Sequence, residues 1–333
     1  MKSVMLGTGA ERIQKYTNAL TTVFTRVADK REANHQSRSL LADMSGDSAF
    51  FSAVLAKHLQ TPKALNTKHY PVVGLDIDLN PHFGLVANCW IPLPDRSRDI
   101  STKAIHHHGD MLLSTVTAFG PGYEHWTFTT PTAVDDRTER YTMGLIERAP
   151  HPLHHVAFVD SYIAHLPLYP EAMSITFALW SSRFPTGWKD RVKRLPLLQK
   201  NSDRLRKVAA RLGVQQQLEL KVVEYFDFFP TCDGFQGIKE RKEFERGPNT
   251  DYLASLFHVI QQTGNEGLAP LVEEQLNHGS TLENPELVRQ LLSDLKAGRP
   301  IEGRLSPTHY GVEHANFSSR DIEQALAAQE AAG

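Results

Sequence analysis

Cysteine is scarce in this chain: Cys89 and Cys232 are the only two among 333 residues. A disulfide framework is therefore excluded, and a chain of this length buries enough apolar surface without one. An excess of charge of one sign is also missing, since 36 Lys and Arg stand against 38 Asp and Glu for a net charge of -2. That balance argues against a broad basic surface for nucleic acid. No stretch approaches 18 uninterrupted apolar residues, so no membrane-spanning helix is expected. The opening residues turn polar too early for the core of a signal peptide, and a reducing, cytoplasmic setting is expected. Nucleotide-binding fingerprints are missing as well, because Gly7-Thr8-Gly9 lacks the preceding strand that a dinucleotide motif requires. Internal repeats and low-complexity tracts do not occur. With 41% hydrophobic and 22% charged residues the composition is that of an ordinary globular protein.

Histidine is the residue in surplus, with 16 copies. Eight of them, His106, His107, His108, His125, His151, His154, His155 and His165, fall between positions 106 and 165. Around this cluster the hydrophobic period changes twice. Ile13, Tyr16, Leu20, Val23, Phe24 and Val27 recur at helical spacing, and a second helix is expected over Ser48 to Leu59. From about residue 70 short strands are expected: Val72 to Leu79, Phe83 to Leu93, Met111 to Phe119, Tyr123 to Thr129, His155 to Ile163 and Met173 to Trp180, with Gly, Pro or Asp between them. Beyond residue 184 the pattern predicts a helix at Leu205 to Leu212, a long strand at Leu218 to Phe229, and helices around Leu253 to Ile260, Pro285 to Leu295 and Ser318 to Ala331. The fold class read from this is α+β, with a central antiparallel β region, helices before it and a mainly helical region after it. The expected organisation is 1–65 helical, 66–184 β-barrel and 185–333 mainly helical, packed on the barrel.

If Ile105-His106-His107-His108-Gly109-Asp110 is extended, side chains alternate between faces. His106, His108 and Asp110 then point one way and His107 the other. Two imidazoles about 6 to 7 Å apart along a strand can converge on one ion, and neutral imidazole suits Fe, Zn, Cu and Ni. A third ligand has to come from elsewhere, and His165, His154 and His155 compete for it. The pair His106 and His108, with His165 some sixty residues on before the apolar strand Met173 to Trp180, resembles the cupin superfamily of double-stranded β-helices, or jelly rolls. The resemblance covers roughly residues 70 to 182 and implies that His106, His108 and His165 hold a metal. The glutamate that usually follows the pair is replaced by Leu112 and Leu113. The glycine before the pair is replaced by Ile100. The missing carboxylate makes the site similar to the three-histidine ferrous centres of cysteine-dioxygenase-like thiol oxygenases.

A second arrangement takes His108-Gly109-Asp110 as the His-x-Asp of a 2-oxoglutarate-type Fe(II) oxygenase, with Arg183 for the cosubstrate carboxylate. Asp110 can equally act as an acceptor orienting a ligand imidazole. Around the centre, the alternation in Tyr123 to Phe128 sends Trp126 and Phe128 to a core and leaves Tyr123 and His125 as pocket groups, with Glu124 needing a partner. His125, Tyr162 and Tyr169 are the candidates for contact with substrate or oxygen. Cys89 reads as an inert buried thiol, and Cys232 as an exposed one with no histidine near it in sequence. From Lys189 to Arg211 nine basic residues face two acidic ones, a run that could hold a carboxylate or phosphate or simply be a solvated helix face.

These features make a mononuclear non-haem Fe(II) oxygenase the first functional expectation, acting on a small polar organic substrate and O2. Other readings are a Zn(II)-, Mn(II)- or Ni(II)-dependent hydrolase, isomerase or decarboxylase, or a non-catalytic module that binds a small ligand. Neither nucleic acid nor membrane is expected as a partner, and a homodimer is left open.

Overall fold

The computed structural model describes residues 2–61, 63–68, 72–92, 100–101, 104–135, 137–182, 226–238, 247–277, 281–304 and 317–332. The expected helix at Leu205 to Leu212, the basic run Lys189 to Arg211, and Arg183 lie outside the described residues.

Four helices open the chain: α1 (Lys2–Arg26), α2 (Lys30–Gln36), α3 (Arg38–Gly46) and α4 (Ser48–Leu59). The Asp29 carboxylate caps α2 by accepting the Arg31 N–H at 2.8 Å. Among the described residues the strands are, in chain order, β1 (Val73–Leu79), β2 (Gly84–Trp90), β3 (Ile100–Ser101), β4 (Ile105–His107), β5 (Met111–Phe119), β6 (Tyr123–Phe128), β7 (Thr132–Asp135), β8 (Arg140–Thr142), β9 (Leu145–His151), β10 (Val156–Val159), β11 (Ala164–Pro167), β12 (Ser174–Ser182), β13 (Phe226–Thr231), β14 (Gly234–Ile238) and, near the C-terminus, β15 (Phe317–Ser318). The C-terminal part adds α5 (Asn249–Gln262), α6 (Ala269–Asn277), α7 (Pro285–Lys296) and α8 (Ser319–Ala332). At the start of α8, the Ser318 N–H and hydroxyl both donate to Asp321 Oδ2, at 2.8 and 2.9 Å. The carboxylate three residues on thus secures the helix entry.

Two antiparallel sheets form a jelly-roll-like body. One has the order β1-β2-β12-β5-β10, the other β7-β8-β14-β13-β4-β11-β6-β9. A short pair, β15-β3, stands apart. The fold class is therefore α+β with an antiparallel barrel, as expected. Two strands from the C-terminal third, β13 and β14, enter the larger sheet beside β4, so that sheet draws on residues beyond 184.

Alternation along the strands sorts their side chains into two kinds of face. Leu75, Leu85, Ala87, Val116, Ile175, Phe177 and Leu179 of the smaller sheet join Leu20, Phe24, Phe50 and Leu55 of the N-terminal helices in one apolar core, which continues into α5 and α7. Phe50 meets Phe177 edge to face at 5.3 Å. The same layer contains a buried polar link: Asn34 Nδ2 donates to Ser181 Oγ at 2.8 Å, and Ser114 Oγ donates to Asn34 Oδ1 at 2.9 Å. On the larger sheet, Ile105, Trp126, Phe128, Leu166 and Phe228 pack with Ile322 and Ala325 of α8. The opposite faces look at each other across the barrel, and there Trp90 meets Tyr123 at 5.2 Å while Thr117 Oγ1 bonds His151 Nδ1 at 2.8 Å.

The hairpin between β5 and β6 closes on Gly120 and Gly122, both at φ +77°. A Cβ on Gly120 would lie 2.1 Å from Met173 O, and one on Gly122 1.9 Å from His151 O. Both positions thus require glycine for sign of φ and for space.

Candidate metal centre

Three strands bring the histidines together. β4 lies between β13 and β11, and the register sets His165 directly opposite His106. Paired residues share a face, so both rings point into the barrel. His108, just past the end of β4, completes the group. The ring centroids of His106 and His165 are 4.4 Å apart, and that of His108 is 4.9 Å from each. One nitrogen from each of the three lies within 4.8 Å of the other two, and all three residues are buried. Ligand nitrogens stand about 2.0 to 2.1 Å from a shared ion, and the trio lies near the spacing that such an ion requires.

The tautomers suit this role. His106 Nδ1 lies 2.8 Å from Ala104 O, and His165 Nδ1 lies 3.3 Å from Ile163 O. A carbonyl only accepts, so each Nδ1 carries the proton and each Nε2 keeps a lone pair directed elsewhere. This backbone contact is the usual way a ligating imidazole is oriented. The Trp180 ring stands edge-on to His108 at 4.3 Å and walls that side.

Other candidates fall elsewhere. His107 points the opposite way, as alternation predicts; it stacks on Phe226 at 4.5 Å, its Nδ1 accepts the Gly109 N–H, and burial pushes its pKa down to about 4. Asp110 is a correction. The strand ends at His107, and Gly109 at φ +60° turns the chain, with Met111 N–H donating to His108 O at 3.1 Å. The expected extension through residue 110 is broken there, and Asp110 accepts from Ser182 at 3.5 Å rather than joining the converging side chains. His154 and His155 also stay out: both are exposed, and His154 Nδ1 bonds Ser45 Oγ at 2.9 Å. Tyr162 is a further correction, being exposed at φ +63° with its ring 5.9 Å from His107, on the side away from the trio. The positive φ turns it outward at the bend that precedes β11. Tyr169 is buried against Trp90 at 5.7 Å, in a cluster with Tyr123 and Val72. Cys89 is buried among apolar groups, which pushes its thiol pKa up, and Cys232 is exposed.

Below the trio the barrel interior stays polar. His125, on β6, is buried with its ring 5.7 Å from His165 and 6.4 Å from His151. Burial, and then the neighbouring His165 and His151 rings, hold its pKa well below the ordinary histidine range. His151 is fixed on both sides, Nδ1 to Thr117 Oγ1 at 2.8 Å and Nε2 to Thr115 O at 3.2 Å, and burial brings its pKa to about 4. Tyr123 lies 5.0 Å from His151, and burial raises its phenol to about 12. Glu124 finds the partner it needed on the outer face: it pairs with Arg148 at 2.7 Å and accepts the Trp126 indole N–H at 2.5 Å.

Two interior residues were given no role in the sequence reading. His151 ends β9 and pairs with Tyr123 across the ladder; alternation extended past residue 145 would have found it. Asp227 is buried, and register sets it opposite His106, hence on the same face. Its signal was a carboxylate interrupting the aromatic run Phe226-Asp227-Phe228-Phe229.

No known family matches the chain, and no curated protein matches it. Among solved structures, similarity is found to the capsular polysaccharide assembling protein CapF of Staphylococcus aureus, at 9% identity over 33% of this chain and 27% of that one, with a TM-score of 0.20. Oxalate decarboxylase of Bacillus subtilis shares 10% identity over 46% of this chain and 37% of its own, with a TM-score of 0.21. An uncharacterized protein with a double-stranded β-helix domain from Klebsiella pneumoniae shares 9% over 37% and 90%, with a TM-score of 0.22. The chain spans about a quarter of the length of CapF and less than half of oxalate decarboxylase. At such TM-scores the fold rests on its own strand order and register.

Proposed function

We propose that the chain is a metal-dependent enzyme, a mononuclear non-haem Fe(II) oxygenase that acts on a small polar organic substrate, with His106, His108 and His165 as the ligands. The observation that carries this reading is the convergence of three buried imidazoles whose nitrogens lie within 4.8 Å of one another. Three neutral donors leave a divalent ion its charge and open positions, which favours an anionic end group on the substrate. When bound, ferrous iron supplies the electrons and the common attachment point for substrate and O2.

The protein's own part is placement and exclusion of water. Backbone carbonyls of Ala104 and Ile163 hold two rings in register. Trp90, Tyr123 and Tyr169 pack together at one side of the interior and Trp180 walls the histidines. A dry, rigid surround strengthens electrostatic contacts and fixes reactants in place. Imidazole donors serve Zn(II), Mn(II) and Ni(II) too, and a Lewis-acid reaction at the same three residues is the second reading.

Metal analysis after anaerobic purification, followed by oxygen-electrode assays with a metabolite pool, tests the proposal. Fe(II)-loaded protein should consume O2 only with organic substrate present, and 2-oxoglutarate should not be required. Turnover with Zn(II) and no oxygen uptake under any condition would replace the oxygenase reading by the Lewis-acid one.

A further inference from the structure

The buried histidines of the larger sheet differ in how they are held. His106 and His165 donate to backbone carbonyls, His107 accepts a backbone N–H, and His151 is bonded on both sides. His125 is only 8% exposed, yet among the described residues none hydrogen-bonds its imidazole, and the rings of Tyr123, His151 and His165 lie at 5.7 to 6.4 Å. Its ring nitrogens are not sealed off, so they open onto the barrel interior, and a nitrogen open to that space is bonded by whatever fills it. Such a group is retained when something outside the chain bonds to it.

We infer that His125 is the second contact point for the substrate of the proposed metal centre, and that it binds a hydroxyl group: the substrate is a small hydroxylated organic acid, its acid end at the metal and its hydroxyl at His125. This rests on the metal-enzyme reading above. Three considerations select the hydroxyl. An apolar substrate end would cover the ring nitrogens without bonding them. A second carboxylate would need a counter-charge, and no lysine or arginine is buried among the described residues, while Asp227 already contributes a buried carboxylate on the same face as His106. Lastly, among the described residues no hydrogen bond fixes the His125 tautomer. A hydroxyl both donates and accepts, so it matches either one.

The test uses full-length protein loaded with Co(II), whose visible absorption changes when a ligand arrives. Propionate is compared with 3-hydroxypropionate, and butyrate with 4-hydroxybutyrate. In the wild type at least one hydroxy acid should bind about tenfold more tightly than its parent acid, the magnitude of one buried neutral hydrogen bond. His125→Leu should abolish that preference, and His125→Gln, which keeps a donor and an acceptor, should restore it. Thermal melts give a second readout: His125→Leu should melt no lower than wild type, because it removes a buried polar ring without removing a bond. A hydroxyl preference that is absent from the wild type or survives in His125→Leu overturns the inference, as does a clear drop in its melting temperature. Those results leave the metal centre standing. Wild-type protein that binds no metal overturns both.

Discussion

The inward and outward faces of the two sheets are built from different amino acids. Outward, β12 presents Ile175, Phe177 and Leu179 to the N-terminal helices, and β6 presents Trp126 and Phe128 to α8. Inward, the same two strands present Thr176, Trp180, Tyr123 and His125. In a simple sandwich the facing surfaces supply the hydrophobic core. Here most of the core lies in two outer layers covered by helices, and the enclosed space holds imidazoles, hydroxyls and aromatic rings beside a small aliphatic cluster of Leu113, Val159 and Ala178. Stability and chemistry thus reside on opposite sides of the same strands, and substitutions on the two sides should have separable consequences.

The largest expected effect is on the inner side. His106→Ala or His108→Ala should remove stoichiometric metal as measured by elemental analysis, whereas His107→Ala, one position away on the other face, should retain most of it. Equal loss in all three would erase the distinction between faces. On the outer side, Phe177→Ala should cost about 3 to 5 kcal/mol in urea unfolding, with metal stoichiometry of the folded fraction unchanged. Metal loss without a stability loss there would reverse the comparison.

A third expectation concerns pH. His151 has a folded pKa of about 4, lowered by burial, against about 6.5 in the unfolded chain. The unfolded state therefore takes up its proton first as pH falls. Stability from this residue is complete above about pH 6.5 and declines between there and pH 4, by about 3 kcal/mol in all. Urea titrations at pH 7.5 and 5 should show part of this loss in the wild type and less of it in His151→Gln. A smaller effect is expected from Ser114→Ala, which deletes the donor to Asn34 between helix and sheet; a cost of about 1 to 2 kcal/mol in urea unfolding would fit one buried hydrogen bond, and a neutral result would show the link to be dispensable.

The parts legible in the sequence were those with a long, regular period. Leu20 and Phe24 at helical spacing announced α1, Pro285 marked the start of α7, and alternation over Met111 to Phe119 matched β5 to the residue. The opposed orientations of His106 and His107 were also readable, because they depend only on local strand geometry. Short elements were not: β4, β8 and β11 have three or four residues each, too few for a period to emerge. Asp110 was misplaced because Gly109 was read as extended, and a glycine's φ is the dihedral that sequence constrains least. Asp227 needed the register between β13 and β4, a pairing across more than a hundred residues that no local pattern encodes. That no described residue bonds the His125 ring depends on every neighbour at once and is visible only in three dimensions.

The position of β13 also sets an order of events during synthesis. The strand carrying His106 is bordered by β11 on one side and by β13 on the other, and β13 begins only at residue 226. While the ribosome is still translating the segment between β12 and β13, the His106 strand has one open edge and Asp227 does not yet exist. The three-histidine pocket is therefore among the last parts of the barrel to close, late in elongation, when the distant strand emerges and docks. A nascent chain halted after residue 182 would carry all three histidines and still present them on an unfinished sheet.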